Sequence, residues 1–446
     1  MSNRLNAVEL GARHELFFQD EVSPGSIFWK PRGADLYNNL IRLMRVLYNE
    51  NDFIEVVTPN IFDKELWKVS GHWWKYRENM YILRQDRYVD PDEEKDDDVN
   101  EEPNNGPNEV EEVESNKKLF SLKPMNCPSH CQIFKKMRVH SKDLPIRMAE
   151  FGVLHRNESS GSLHGLTRVR RFQQDDAHIF CRLDQVQQEV LTNLQMIERV
   201  YSIFGLTFVC ELSTRPEEFI GSPELWDEAE AQLRSAIAAY TGKSKSKVKV
   251  KEGDGAFYGP KIDISLFDSL KRKIQCGTIQ LDFNLPSADR FDLTYMDEEN
   301  EGTPYHPVIV HRAVLGSLER FIGIVLEHTQ GKLPLGITPY PLAIVSIMPE
   351  FEEQGLNLKN TIRKKLAAHG VHIQIDTDFS SDDIRQKIKK KEKMRYAMIL
   401  TIGQREADAI DHNIEEAKLA VRQNKRVSNM TMNEVADQII GAYNLV

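Results

Sequence analysis

Cysteine is scarce in this chain, with five among 446 residues, and so small and odd a number fits reduced thiols or ligands better than a disulfide framework. Long hydrophobic runs are missing too. The longest are strand-length, which excludes a membrane-spanning helix. The amino-terminal stretch MSNRLNAVELGARHELF has neither the apolar core of a signal peptide nor the Arg-rich, acid-poor character of a transit peptide. Glycine-rich phosphate loops of the GxxxxGKS or GxGxxG type are absent, so nucleotide phosphates would be held by arginine side chains and metal rather than by a helix amino terminus.

What is present describes an ordinary globular protein, 40% hydrophobic and 28% charged, long enough for two or three domains. The formal charge of −10 would normally argue against a nucleic-acid partner. Asp86 to Asn116, however, holds 14 acidic and 2 basic residues, a net −12 that leaves the remainder at +2. With almost no apolar residues that segment cannot bury enough surface to offset ordering, and a disordered insertion over 85–117 is expected. The flanking YILRQ and LFSLKP are strand-like and could pair around it.

Ahead of the insertion, Leu36, Leu40, Ile41, Leu43, Met44, Leu47 and Tyr48 recur at helical spacing, and strand-like FIEVVTP follows. After it, RMAEFGVLHRNE and LTRVRRFQQDDAHIFC read as two strands joined by a polar loop. A helix bearing Val186, Val190, Leu194, Ile197, Val200 and Tyr201 comes next. Short strands including GDGAFYGPKIDI and IQCGTIQLDF lead to HRAVLGSLERFIGIVLEH, whose continuous apolar character predicts a buried helix. Pro334, Pro339 and Pro341 mark a boundary. Beyond it, strands PLAIVSIMP, VHIQIDTD, YAMILTIG and LAVRQ alternate with helices over 352–368 and 382–394 and a last helix, the pattern of a small α/β domain with a mostly parallel sheet.

The chemistry-bearing residues gather in HRNESSGSLHGLTRVRRFQQDDAHIF, which places four arginines, Asp175 and Asp176 on two strands and their loop. Planar bidentate arginines favour a phosphate-bearing ligand there, with a solvated strand pair as the alternative. Cys127, His178 and His311 are possible metal ligands, yet none belongs to a CxxC or HxxxH pair. From the residues alone, a buried thiol and core histidines explain them as well.

Taken together, HRNE with FQQDDAHIF resembles motif 2 of class II aminoacyl-tRNA synthetases, HRAVLGSLERF resembles motif 3, and the helix before FIEVVTP resembles motif 1. The strings WKVSGHW, KPMNCPSH, STRPEEFIGS, DGAFYGPKIDI and QCGTIQLDF are similar to the threonyl-tRNA synthetase family. The resemblance implies an α+β catalytic core, an antiparallel sheet with flanking helices, over 1–339, and an α/β anticodon-binding domain over 340–446. It implies formation of threonyl-adenylate from threonine and ATP, then transfer to the 3′ end of tRNA(Thr). An enzyme that hands the adenylate to a non-tRNA acceptor, or a regulator, is the alternative.

Residue by residue, the resemblance gives Arg156, Glu158, Arg168, Phe172, Gln275 and Arg320 to ATP with Mg²⁺, and Met125, Gln174, Asp176, Tyr258, Lys261 and Gln280 to threonine. It gives Cys127, His178 and His311 to one Zn²⁺, His72 to acyl transfer with Arg156 and Arg320 as catalytic arginines, and Arg422 to the anticodon. It further implies a homodimer, because motif 1 forms the subunit interface in class II enzymes. The chain starts some seventeen residues before the core, so no amino-terminal editing domain is expected. A cytoplasmic protein is expected, or a mitochondrial one if a targeting segment has been trimmed. Ser129 departs from the family's usual glycine after Cys-Pro.

Overall fold

The computed structural model describes residues 4–84, 119–242, 248–267, 271–297 and 303–444. Its first part contains α1 (Ala7–Arg13), α2 (Pro31–Glu50), β1 (Ile54–Glu55), α3 (Cys127–Lys135), β2 (Ile146–His155), β3 (Arg171–Cys181), α4 (Val186–Ile203) and β4 (Thr207–Ser213). There follow α5 (Pro223–Thr241), β5 (Val250–Lys251), β6 (Lys261–Phe267), β7 (Lys273–Asp282), β8 (Val308–Ser317) and α6 (Leu318–Thr329). Eight strands form one sheet in the order β5-β4-β6-β7-β8-β3-β2-β1. Its interior pairings are antiparallel, and only the edge pairs β5–β4 and β1–β2 are parallel.

Side chains alternate between the faces of a strand, and here the two faces have different chemistry. One carries Ala177, Ile179, Ile262, Ile264, Leu266, Ile279, Leu281, Val310 and Val314, which pack with α2, α4 and α6 in the main core. The other carries Gln174, Asp176, His178, Asp263, Gln280 and His311, and this polar face is where a site can form.

HRAVLGSLERFIGIVLEH is not one helix. Its first half lies in the central strand β8, where Val314 and Leu315 join the main core while His311 and Ala313 line the polar face. Arg312 to Leu315 are nevertheless all buried, a run as continuous as that of a buried helix, and periodicity does not separate the two. The change of element occurs at Gly316, whose φ of +69° and ideal Cβ position 2.8 Å from the Cys276 carbonyl oxygen exclude a side chain. Ser317 then caps α6 by accepting a hydrogen bond from the Arg320 amide.

Ile82–Arg84 pairs antiparallel with Leu119–Leu122, so the strands expected to flank the acidic segment do meet. The segment itself lies outside the described residues. FIEVVTP contributes only Ile54 and Glu55 to the sheet, at its edge.

The second part has its own core, built from β9 (Leu342–Ser346), α7 (Glu352–Ala368), β10 (Ile375–Asp378), α8 (Ile384–Lys393), β11 (Met398–Ile402), α9 (Gln404–Asn413), β12 (Leu419–Gln423), β13 (Arg426–Met430) and α10 (Met432–Asn444). The sheet order is β10-β9-β11-β12-β13. Strands β10, β9 and β11 pair parallel, while β12 runs antiparallel to both β11 and β13, so the pairings are mixed rather than mostly parallel. Helix α9 and strand β13 were not foreseen, because RQNKRVSNM and QREADAIDHN are largely polar.

Candidate active site

The polar face of the large sheet opens into a cavity of about 320 Å³ lined by His72, Met125, Cys127, Arg156, Gln174, Asp176, His178, Tyr258, Gln280 and His311, among others. Register explains the convergence. His311 pairs with His178 on one side and with Gln280 on the other, and Ala313 opposes Asp176. Cys127 comes from the first turn of α3, beside the sheet. Ser129 stands in that same helical turn and has no positive φ, so the backbone there does not call for glycine.

Sγ of Cys127 and one nitrogen each of His178 and His311 lie within 4.8 Å of one another. A tetrahedral zinc with bonds of about 2.0–2.3 Å sets its ligand atoms roughly 3.3–3.8 Å apart, so a small contraction would suit the ion. Burial pushes the Cys127 thiol well up, helped by Asp176, and a cation would have to displace its proton. Burial, His130 and His311 push His178 well down, keeping it in the neutral form that ligates metal. His311 Nε2 lies 3.0 Å from Asp282 Oδ2. The Asp282 carboxylate accepts the proton on that nitrogen and leaves Nδ1 for a ligand.

Around these donors, Asp176 accepts a 3.1 Å hydrogen bond from Asn126 Nδ2, and burial raises its carboxyl. The Tyr258 hydroxyl lies 3.4 Å from Gln280 Oε1. The amide nitrogen of Gln280 is buried with no partner, as is Arg320 Nε. Buried donors are normally satisfied, and the orphan on Gln280, which lines the cavity, is a place for a ligand. His72 Nδ1 sits 2.8 Å from Ser70 Oγ, and burial lowers the imidazole to about 4, so it is neutral at physiological pH.

The Arg156 guanidinium lies 5.0 Å from the Phe172 ring centroid and 5.8 Å from that of Tyr76. Glu158 and Arg168 are ion-paired to each other at 2.9 Å, Gln275 donates to Asp263 at 2.7 Å, and Lys261 pairs with Asp263 at 3.2 Å. Of these residues Arg156 and Tyr76 line the cavity, while Glu158, Arg168, Phe172, Gln275, Lys261 and Arg320 do not. Asp175, adjacent to Asp176 but on the opposite face, accepts from the Val314 and Leu315 amides at 2.8 and 2.9 Å and pairs with buried Arg312. Burial raises its carboxyl to about 7.

The residues that sequence reasoning missed are supports. They are Asp282 behind His311, Asn126 behind Asp176, and the buried His130 and Glu150 behind His178. His130 had one signal available, its place three residues after Cys127 on a helix, which puts the two on neighbouring faces.

Residues 109–329 match the tRNA synthetase class II core domain (G, H, P, S and T), and residues 343–441 match the anticodon binding domain. A crystal structure described as the RNA binding domain of threonyl-tRNA synthetase from Cryptosporidium parvum is 42% identical, covers 98% of both chains and superposes with a TM-score of 0.82. The chain belongs to the threonyl-tRNA synthetase family. Cytoplasmic threonine–tRNA ligases of Caenorhabditis elegans and Saccharomyces cerevisiae are 43% and 39% identical over 93% and 97% of this chain. The chain spans about half the length of these curated threonyl-tRNA synthetase relatives, 51% and 53%. No helix among the described residues is long and apolar enough to cross a membrane.

Proposed function

We propose that the chain is a threonine–tRNA ligase that forms threonyl-adenylate from threonine and ATP and passes the acyl group to tRNA(Thr). The observation that carries this reading is the convergence of Cys127, His178 and His311 within the cavity that Arg156, Asp176 and Gln280 also line. Zinc, when bound to those three side chains, offers open positions for the amino and hydroxyl groups of threonine.

This chain's own residues supply the rest. Asp176 accepts the threonine hydroxyl proton, while Gln174, Tyr258 and the unpaired amide of Gln280 hold the amino group, with Met125 and Lys261 at the pocket's edge. Arg156 grips the α-phosphate and Arg320 the γ-phosphate of ATP, which enters with Mg²⁺. Both neutralise charge that develops on oxygen in the transition state. Phe172 offers a stacking face for adenine, Glu158 accepts from its amino group, and Arg168 and Gln275 close around the nucleotide. Neutral His72 is available to take the proton of the attacking ribose hydroxyl.

Valine is nearly isosteric with threonine but lacks the hydroxyl. A site whose buried groups require that hydroxyl rejects valine far better than an apolar pocket could. Serine lacks only a methyl, worth about 1–3 kcal/mol, and is the harder competitor.

We divide the chain into a catalytic domain, 1–339, and an anticodon-binding domain, 340–446. Arg422 supports the latter role. It lies in a cleft of about 560 Å³ with Arg395 and Lys425, balanced by Glu392 at 3.5 Å, and its Nε is buried without a partner. Exposed Ile54 and Val57 beside the edge strand β1 favour a homodimer, since an open, apolar edge is normally covered. The names of its relatives favour a cytoplasmic protein.

Charging of total tRNA tests the reading. Threonyl-tRNA formation is expected; adenylate formation without charged tRNA would contradict it and favour a different acceptor.

A further inference from the structure

Behind the proposed metal ligand His178 runs a buried polar chain that nothing in the proposed chemistry uses. His178 Nδ1 is 2.8 Å from His130 Nδ1, and His130 Nε2 is 3.2 Å from Glu150 Oε2. Glu150 is the far end: its carboxylate also accepts from Lys123 Nζ at 3.0 Å and from the Thr58 amide at 2.9 Å. Lys123 and His130 are fully buried and Glu150 nearly so.

Donors and acceptors in this chain can be assigned from its acceptor-only end. Glu150 accepts, so His130 Nε2 carries the proton. With a single proton on the His130 ring, Nδ1 accepts, and His178 Nδ1 must donate to it. That leaves the lone pair of His178 on Nε2. We infer that His130, fixed by Glu150 and Lys123, is a positioning residue that sets the tautomer and ring orientation of His178, so that Nε2 is presented to the metal. The inference rests on the reading of Cys127, His178 and His311 as a zinc site. Asp282 acts on His311 through a single carboxylate; at His178 a second histidine is interposed, and the carboxylate is one residue further away.

Two substitutions separate this role from packing. His130→Leu fills similar volume but neither donates nor accepts, whereas His130→Gln offers an amide that does both. Zinc affinity is measured by competition with a chelator of known affinity, alongside thermal melting to verify the fold. His130→Leu is expected to bind zinc about 10–100-fold more weakly than the unsubstituted protein, and His130→Gln to recover most of that loss. Undiminished affinity in folded His130→Leu overturns the inference, and so does an equal loss in both variants. A second measurement needs no substitution. ¹⁵N-histidine spectra of the metal-free protein should show His130 protonated at Nε2 and His178 at Nδ1; a His178 protonated at Nε2 overturns the inference. If the unsubstituted protein binds no zinc, the metal reading fails, and the tautomer measurement alone decides the relay.

Discussion

Glu150 shows how a residue far from any reacting atom can shape the pH response. Burial alone would raise its carboxyl, but the hydrogen bond from His130 and the charge of Lys123 pull it down to about 2. A depressed carboxyl contributes stability that is present above its unfolded value near 4.5 and is lost as pH falls towards 2, here about 3 kcal/mol at most. Acid melting of Glu150→Gln should therefore be flatter than that of the unsubstituted protein between pH 4.5 and 2; parallel curves would contradict the assignment. At the site itself, Cys127→Ser should remove zinc and threonine activation together, and normal activity in the metal-free variant would refute the recognition role. His72→Ala should leave adenylate formation intact and slow acyl transfer by about 10²-fold or more, as read by single-turnover charging. At this scale the motif strings were informative for Gln174, Asp176 and His178, which alternation along β3 then places on one face. The sequence was silent on Asp282 and Glu150, because an acidic residue in an apolar strand does not disclose its partner until neighbouring strands are in register.

Among the elements, the junction of β8 and α6 sets where Arg320, in the first turn of α6, stands. Pairing of β8 with β3 stops being regular between Ala313 and Ser317, and Asp175 ties down the freed amides of Val314 and Leu315. Gly316 completes the turn in a conformation that side chains rarely adopt. Gly316→Ala should cost about 1 kcal/mol or more and raise the KM for ATP more than that for threonine; a variant with unchanged melting and KM would contradict this. Periodicity alone reads the junction as part of one helix, since buried residues run unbroken from Arg312 to Leu315. By contrast α2 and α7 were legible to within a few residues, because each exposes one polar face and 3.6-residue periodicity survives. Pairing of Ile82–Arg84 with Leu119–Leu122 leads to a further expectation. Replacing Asp86 to Asn116 by a short turn should leave threonine activation unchanged, and a large loss would show that the acidic segment does more than span.

For the whole molecule, the two parts meet where Met394 and Tyr396 pack against the main core. Arg32 reaches across to the Tyr396 hydroxyl at 3.3 Å, and Arg42 donates to the Gly336 carbonyl at 2.6 Å, just ahead of the second part. Arg42 also bonds the Tyr443 carbonyl, so motif 1 helix α2 touches the anticodon-binding unit directly. The opposite end of the same motif leaves Val57 90% exposed. Val57→Asp should shift the proposed dimer to monomer in analytical ultracentrifugation; a dimer that survives the substitution would place the interface elsewhere, and a monomeric unsubstituted protein would contradict the dimer itself. The overall charge of −10 says little about the partner, since the acid excess lies in one segment and the remainder is close to neutral. Selection of threonine through its hydroxyl is read by amino-acid-dependent exchange of pyrophosphate into ATP. Threonine should support exchange, serine should follow within about 10–200-fold, and valine should be poorer by about 10⁴-fold. Valine exchanging as well as threonine, or exchange that needs no amino acid, would contradict the account.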